Sequence, residues 1–334
     1  MKSIALLLAP LCILCGHSRA EALADSTELT TGDRALHKLL GEGARTLPLW
    51  PEEAPDEPRP IDAETVGPLE KKSGVLLVHN VTEPTLTLLM PQKAAQPVPR
   101  GGHLPGRRLR RARHRDGRRG DREVAERARM AGIVLKYRVP KRHRGYAQHH
   151  HALQDAQRAM GLIRQHASEW NVDARRLGVV GFSAGGHLAA TLSNNYGKRL
   201  YPGVDAADDL SCKPDFTVLI YPAYVTEPID SDTLDPLQRA SQMSRAATPP
   251  TFIAVAQNDK FARGATAYFM ALRQARVPAE LHIYDGGGHG NALREAPLSE
   301  WGQTCARWLA ARWPREPSDR PAQAAAPAAL PRLQ

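Results

Sequence analysis

Leu177-Gly-Val-Val-Gly-Phe-Ser183-Ala-Gly-Gly-His-Leu-Ala-Ala190 is a short apolar run that breaks at a serine held between glycines. Val179 and Val180 are β-branched and follow the polar lead-in Asp173-Ala-Arg-Arg176, a pattern that suits a buried parallel strand. From Gly185 onward His187, Leu188, Ala189, Ala190 and Leu192 favour helix. The turn between them, Gly181-Phe-Ser183-Ala-Gly185, is a G-x-S-x-G. A serine on such a strand-to-helix turn takes a strained backbone conformation, with glycines flanking it because a Cβ would clash, and its hydroxyl stands above the sheet edge. The free N–H groups of the following helix aim at the same place, which suits the oxyanion formed when a carbonyl is attacked. The pattern alone also fits an ordinary glycine-flanked turn, so its meaning depends on what lies around it.

Outward from this turn, the chain alternates strands and helices. Gly74–His79 and Pro84–Met90 read as two antiparallel strands joined by a turn, and Gly132–Pro140 as a second strong strand. A helix is predicted over about Ala152–Trp170, with Leu153, Ala156, Met160 and Ile163 on one face. After the elbow come strands at Pro214–Pro222, Pro250–Ala256 and Ala279–Tyr284, and helices at about Ala262–Arg276 and Ser299–Trp313. This rhythm predicts an α/β fold, a doubly wound and mostly parallel sheet in a single domain over residues 74–313. The proline-interrupted stretch Tyr224–Ala247 has no core periodicity and is placed over the active end of the sheet, where it and the Tyr221-Pro222 strand end are expected to border the acyl pocket, with Tyr221 and Tyr224 as candidate substrate contacts.

With 334 residues and 42% apolar content the chain can bury one full core. Residues 1–24 read as a signal peptide: a basic start at Lys2, an apolar run from Ile4 to Leu14 too short for a permanent span, and Ala22-Leu23-Ala24 before Asp25. Export to the periplasm or medium follows, with no membrane span in the mature protein. Cys12 and Cys15 raise a lipoprotein alternative, against which Leu14 is a poor residue before a lipidated cysteine. Cys212 and Cys305 fit either one disulfide or two separate buried thiols. Residues 25–73 read as a surface strap, because Pro48, Pro51, Pro55, Pro58 and Pro60 interrupt regular structure, and residues 314–334 as a disordered Ala/Pro tail.

Asp259, after Gln257-Asn258, and His289, within Gly286-Gly-Gly-His289-Gly290, stand at the carboxyl ends of successive strands in the order serine, acid, histidine. A serine hydroxyl needs an imidazole to take its proton, and the imidazole needs a carboxylate to fix its tautomer and stabilise its charged form. Doubly wound hydrolases use this chain order. Alone, Asp259 is as readily a turn residue and His289 a loop histidine; behind the elbow they form a catalytic set with Ser183. His187 lies inside the elbow helix and His282 inside a strand. His149-His150-His151 lacks acidic or cysteine neighbours in sequence, so no metal and no cofactor are expected.

Arg176–Ala190, Leu135-Lys-Tyr-Arg-Val-Pro140, Ile220-Tyr-Pro222 and Val277–Tyr284 with Gly287-Gly-His-Gly290 resemble the secreted α/β-hydrolase esterases related to acetyl-xylan and feruloyl esterases, often labelled xylanase. The resemblance runs from about Leu47 to Trp313. It implies an α/β-hydrolase fold and a Ser183, Asp259, His289 triad with the Ala184 N–H as one oxyanion donor. The activity it implies is carboxylic ester hydrolysis without a cofactor, on a small ester or an acylated plant polysaccharide. A serine peptidase of related fold is the weaker alternative, since no gating domain is present in this sequence.

One stretch departs from that family. Before the Leu135 strand the family carries an apolar strand ending in a Pro-Gly-Gly-Gly-Tyr-like loop, the second oxyanion donor. Here Arg100–Arg111 takes its place, and the run from Arg100 to Arg129 holds twelve arginines against four acidic residues, +8 of the chain's net +10. One reading is a basic arm for a polyanion on an inactive hydrolase scaffold. The arm has no interleaved aromatics and sits where a core strand is expected, which argues against nucleic acid. The other reading is a displaced reading frame: a choice of synonymous codons, read one base later, restores the apolar strand and the glycine loop. The second reading is preferred because it recovers both at once.

Overall fold

A computed structural model describes residues 5–6, 11–17, 29–40, 44–57, 62–68, 75–81, 83–89, 130–139, 149–170, 172–238, 240–292 and 296–313. The strands are β1 (Ala5–Leu6), β2 (Leu11–His17), β3 (Ala44–Pro48), β4 (Thr65–Pro68), β5 (Val75–His79), β6 (Thr85–Leu89), β7 (Met130–Lys136), β8 (Val172–Phe182), β9 (Phe216–Ile220), β10 (Thr251–Ala256) and β11 (Ala279–Tyr284). The helices are α1 (Thr31–Leu40), α2 (His150–Gln165), α3 (Ala184–Asn195), α4 (Ala262–Gln274) and α5 (Trp301–Arg312). The main sheet has eight strands in the order β11-β10-β9-β8-β2-β7-β6-β3.

From β8 to β11 the strands run parallel, in unbroken register from Gly178↔Phe216 to Ala256↔Tyr284. Their sequences show why. Every residue of β9 and β10, and Leu177–Phe182 of β8, is buried, as continuous apolar runs covered on both faces must be. The edge strand β11 is only half-buried. Helix α3 packs on β8 and β9, α4 on β10 and β11, and α5 on β10. The strand and helix positions predicted from Gly132 to Trp313 hold to within a few residues at each end.

Four expectations are corrected. β5 and β6 do not pair with each other: β5 joins β4 and β1 in a separate three-stranded sheet, whereas β6 lies between β3 and β7. Both strands are apolar, and nothing local decides which sheet each one joins. The supposed surface strap is partly core, because it supplies the edge strand β3 and buries Leu36, Leu49 and Trp50. The stretch after Tyr221 is also partly internal, with Val225, Gln238 and Met243 buried. The fourth correction concerns the strands carrying Leu135 and Val180, which a strand-helix-strand rhythm through the helix at about Ala152–Trp170 places side by side.

Between them lies β2, antiparallel to both: Leu11 is opposite Leu135 on one side and Gly181 on the other, and Cys12 is opposite Val134 and Val180. The end of the apolar run read as a leader thus occupies, as β2, the slot beside β7 and β8 where a strand from the Arg100 region was expected. The physical reason is the sheet itself. β7 and β8 each present a row of backbone donors and acceptors toward the gap, and a seven-residue apolar segment can satisfy both rows. Cleavage after Ala24 would remove β1 and β2 together. Residues 100–129 and the tail from 314 lie outside the described residues.

Helix α2 carries the predicted apolar face, but Gln154, Asp155, Gln157 and Arg158 are buried too. Their polar groups are paired. Asp155 takes bonds from the Arg138 guanidinium at 2.8 Å and from Trp50 Nε1 at 2.9 Å, and Arg158 donates to Asp205 at 2.6 Å and Asp208 at 3.1 Å. Lys136, equally buried, lies 3.0 Å from both Asp33 and Glu64. These pairs tie α1 and the segment around Trp50 to β7, because losing one partner would leave a buried charge uncompensated.

Candidate active site

The strand β8 delivers Ser183 to the carboxyl end of the sheet, and the backbone there is strained as the elbow requires, with φ 51° and ψ −119°. The turn is pinned on both sides. Ser183 N–H donates to Ile220 O at the end of β9, and Ser183 O accepts from Gly186 N–H and Ala223 N–H. A Cβ on Gly181 would lie 2.1 Å from Gly185 O, and one on Gly186 would lie 2.9 Å from Pro222 Cα. The close approach therefore falls on Gly181 as predicted and also on Gly186, outside the five-residue motif.

Asp259 follows β10 and His289 follows β11, both at the same end of the sheet as Ser183. The three side chains meet. Ser183 Oγ is 2.7 Å from His289 Nε2, and His289 Nδ1 is 2.7 Å from Asp259 Oδ2. With Nδ1–H donating to the carboxylate, Nε2 is left to accept the serine proton. The carboxylate is itself oriented: Asp259 Oδ1 accepts from Phe261 N–H at 2.9 Å, and Asp259 is only 5% exposed. Asn258 Oδ1 accepts from Gly288 N–H at 3.0 Å, which ties the histidine loop to the loop that bears the acid. Asn258 and Phe261 were missed by sequence reasoning, although the Asn258-Asp259 pair at a strand end was itself a turn signal.

Two rings bracket the imidazole. Tyr221 lies 5.0 Å from it in an edge-on arrangement and Phe261 lies 4.9 Å away. Of the predicted contacts, Tyr221 thus reaches His289, whereas Tyr224 reaches it through Phe261, 5.3 Å distant. Ala184 is the first residue of α3, so its N–H is among those a helix start leaves without an intrahelical partner. The second oxyanion donor was expected on Arg100–Arg111, outside the described residues. Strand β2 does not replace that donor in the usual way. Being antiparallel, it enters the sheet at the Ser183 end instead of leaving it there.

Other predicted residues lie elsewhere. Cys212 and Cys305 are two separate buried thiols, both pushed above the ordinary thiol range by burial. His282 stacks on Phe252. His187 is buried, its ring 4.0 Å from that of His149 and its Nε2 3.6 Å from Asp235 Oδ1. Burial, and secondarily the His187 ring, pull His149 down to about 4. Among the described residues no group of three or more His, Cys, Asp or Glu is placed to hold a metal ion, and no helix is long and apolar enough to cross a membrane.

A family model described as alpha/beta hydrolase fold matches residues 113–293, more than half of the chain. The chain belongs to the α/β-hydrolase family. Within it, this α/β hydrolase is similar to an acetylxylan esterase from Xylanibacter ruminicola, 25% identical over 181 residues, 48% of this chain and 34% of that protein. Endo-1,4-beta-xylanase B from Butyrivibrio fibrisolvens is 29% identical over 157 residues, 42% of this chain and 25% of that protein. The α/β hydrolase matches only a quarter to a third of the length of these curated relatives. Among solved structures, an acetyl ester-xyloside bifunctional hydrolase from Caldicellulosiruptor lactoaceticus superposes with a TM-score of 0.55 at 27% identity, covering 80% of this chain and 96% of that one.

Proposed function

We propose that this α/β hydrolase is a serine carboxylic-ester hydrolase that works through an acyl-enzyme and deacylates carbohydrate esters of the xylan type. The observation that carries the reading is the continuous line Asp259–His289–Ser183, two contacts of 2.7 Å on a strained elbow. Ser183 Oγ attacks the ester carbonyl carbon while His289 Nε2 takes the hydroxyl proton. Asp259 holds the imidazolium that results. The oxyanion develops at the start of α3, where the Ala184 N–H donates to it. Collapse breaks the bond to the alcohol, which leaves with the proton from His289, and Ser183 keeps the acyl group. Water then attacks the acyl carbon, His289 again takes the proton, and the acid departs as the Ser183 hydroxyl is restored.

The substrate class rests on the relatives, one an acetylxylan esterase and another structure an acetyl ester-xyloside hydrolase. The reading is tested by hydrolysis of p-nitrophenyl acetate and acetylated xylan by the purified protein and by Ser183→Ala. Release of acetate from both, lost in the variant, is the expected result; turnover that survives Ser183→Ala would refute it. A polyanion-binding scaffold predicts instead salt-sensitive retention on heparin without any turnover.

A further inference from the structure

Among the described residues Tyr224 is the large aromatic side chain that is left exposed. It is 46% exposed, yet its neighbours Ala223 and Val225 are buried, so the exposure does not come from a loose segment. Its backbone is in the left-handed region at φ 58°, and Tyr221, three residues earlier, is there as well at φ 38°. Neither is a glycine, and a non-glycine residue keeps such a strained backbone only where its surroundings enforce it. The surroundings do enforce it. Ala223 N–H is bonded to Ser183 O at 3.0 Å, and Val225 O accepts from Asp235 N–H at 3.0 Å, so the loop is fastened to the elbow on one side and to the insertion on the other.

What this arrangement achieves is the placement of one exposed ring. Tyr224 packs edge-on against Phe261, whose own N–H holds the triad carboxylate and whose ring flanks His289. In the acyl-transfer reading His289 returns a proton to the departing alcohol, so the side of the site beyond His289 and Phe261 is where the alcohol part of the ester would lie. We propose that Tyr224 is a specificity-determining platform on which the sugar ring of the alcohol part stacks. The inference rests on the acyl-transfer reading above. A pyranose presents axial C–H bonds to the face of an aromatic ring, and an exposed, backbone-locked tyrosine supplies that face at little entropic cost.

The test compares two acetate esters, ethyl acetate and a monoacetylated methyl xylopyranoside, in the wild type and in Tyr224→Ala, Tyr224→Trp and Ser183→Ala. In Tyr224→Ala, kcat/KM for the xyloside is expected to fall about tenfold more than for ethyl acetate, with most of the difference in KM, and Tyr224→Trp is expected to restore the ratio. An equal loss on both esters would reduce Tyr224 to a cover over Phe261 and overturn the platform, as would an unchanged ratio. Failure of the wild type to hydrolyse either ester through Ser183 would instead overturn the acyl-transfer reading, and this inference with it.

Discussion

Deletion of residues 1–24, the cut that leader cleavage would make, is predicted to unfold the chain as written. The deletion removes β2, which is opposite six residues of β7 and six positions of β8. In an antiparallel ladder about half the backbone groups of each neighbour point toward the intervening strand, so about a dozen N–H and C=O groups would lose their partners. At about 1 kcal/mol each, the low end for a buried group left unsatisfied, the loss is about 12 kcal/mol, comparable to the whole stability of a typical domain. The apolar faces of Leu135, Val179 and Val180 would open to water as well, since all three are buried. The assay is thermal unfolding followed by near-UV circular dichroism on the full and truncated chains. The truncated chain should show no cooperative transition. Recoding residues 100–129 in the displaced frame should restore the transition to the truncated chain, because a true parallel strand would then fill the slot. A truncated, unrecoded chain that melts cooperatively within a few degrees of the full one would refute the reasoning.

Asp259→Asn keeps the shape of the acid but loses the charge that stabilises the imidazolium and fixes its tautomer, so the turnover number on p-nitrophenyl acetate should drop by about four orders of magnitude while the melting temperature changes little. Gly186→Ala pushes a methyl against Pro222 Cα and should cost about 1–3 kcal/mol in urea denaturation, whereas Gly197→Ala, with nothing within 4 Å, should stay within about 0.5 kcal/mol. His149 is held at about 4 by burial and by His187, below its ordinary 6.5, so the unfolded chain binds more protons between those values. The stability tied to its neutral form is thus complete above pH 6.5 and is lost as pH falls toward 4. Melting temperatures taken across that window should decline less steeply in His149→Asn than in the wild type.

The juxtaposition of Ser183, His289 and Asp259 was legible because the chemistry proposed for them demands particular residue types at strand ends, and the strands that bear them, β8, β10 and β11, are local apolar runs between turn residues. Asn258, Phe261 and Gly186 were not legible, because their roles depend on which loops the sheet brings together. The same limit explains β5 and β6: each reads as a strand, but the choice of sheet is a contest between distant partners. β3 escaped notice because Ala44-Arg-Thr-Leu-Pro48 is polar and proline-terminated, features that suit an edge strand. Lys136, Arg138 and Arg158 are buried, which no hydropathy pattern suggests, since the partners that make it tolerable, Asp33, Glu57, Glu64, Asp155, Asp205 and Asp208, come from other segments of the chain. The apolar run Ile4–Leu14 that reads as a leader ends in Leu11–Leu14, which lie in strand β2. In the chain as written the two uses exclude each other after cleavage, so an exported, processed protein would need another strand in the slot.

The central claim, that Ser183 is a nucleophile activated by His289 and Asp259, is tested most directly by incubating the full chain with a fluorophosphonate and reading the intact mass and the modified peptide. One equivalent bound at Ser183, absent from Ser183→Ala and slowed in His289→Ala, is the predicted result. An unmodified protein, or a label on any residue other than Ser183, would contradict it.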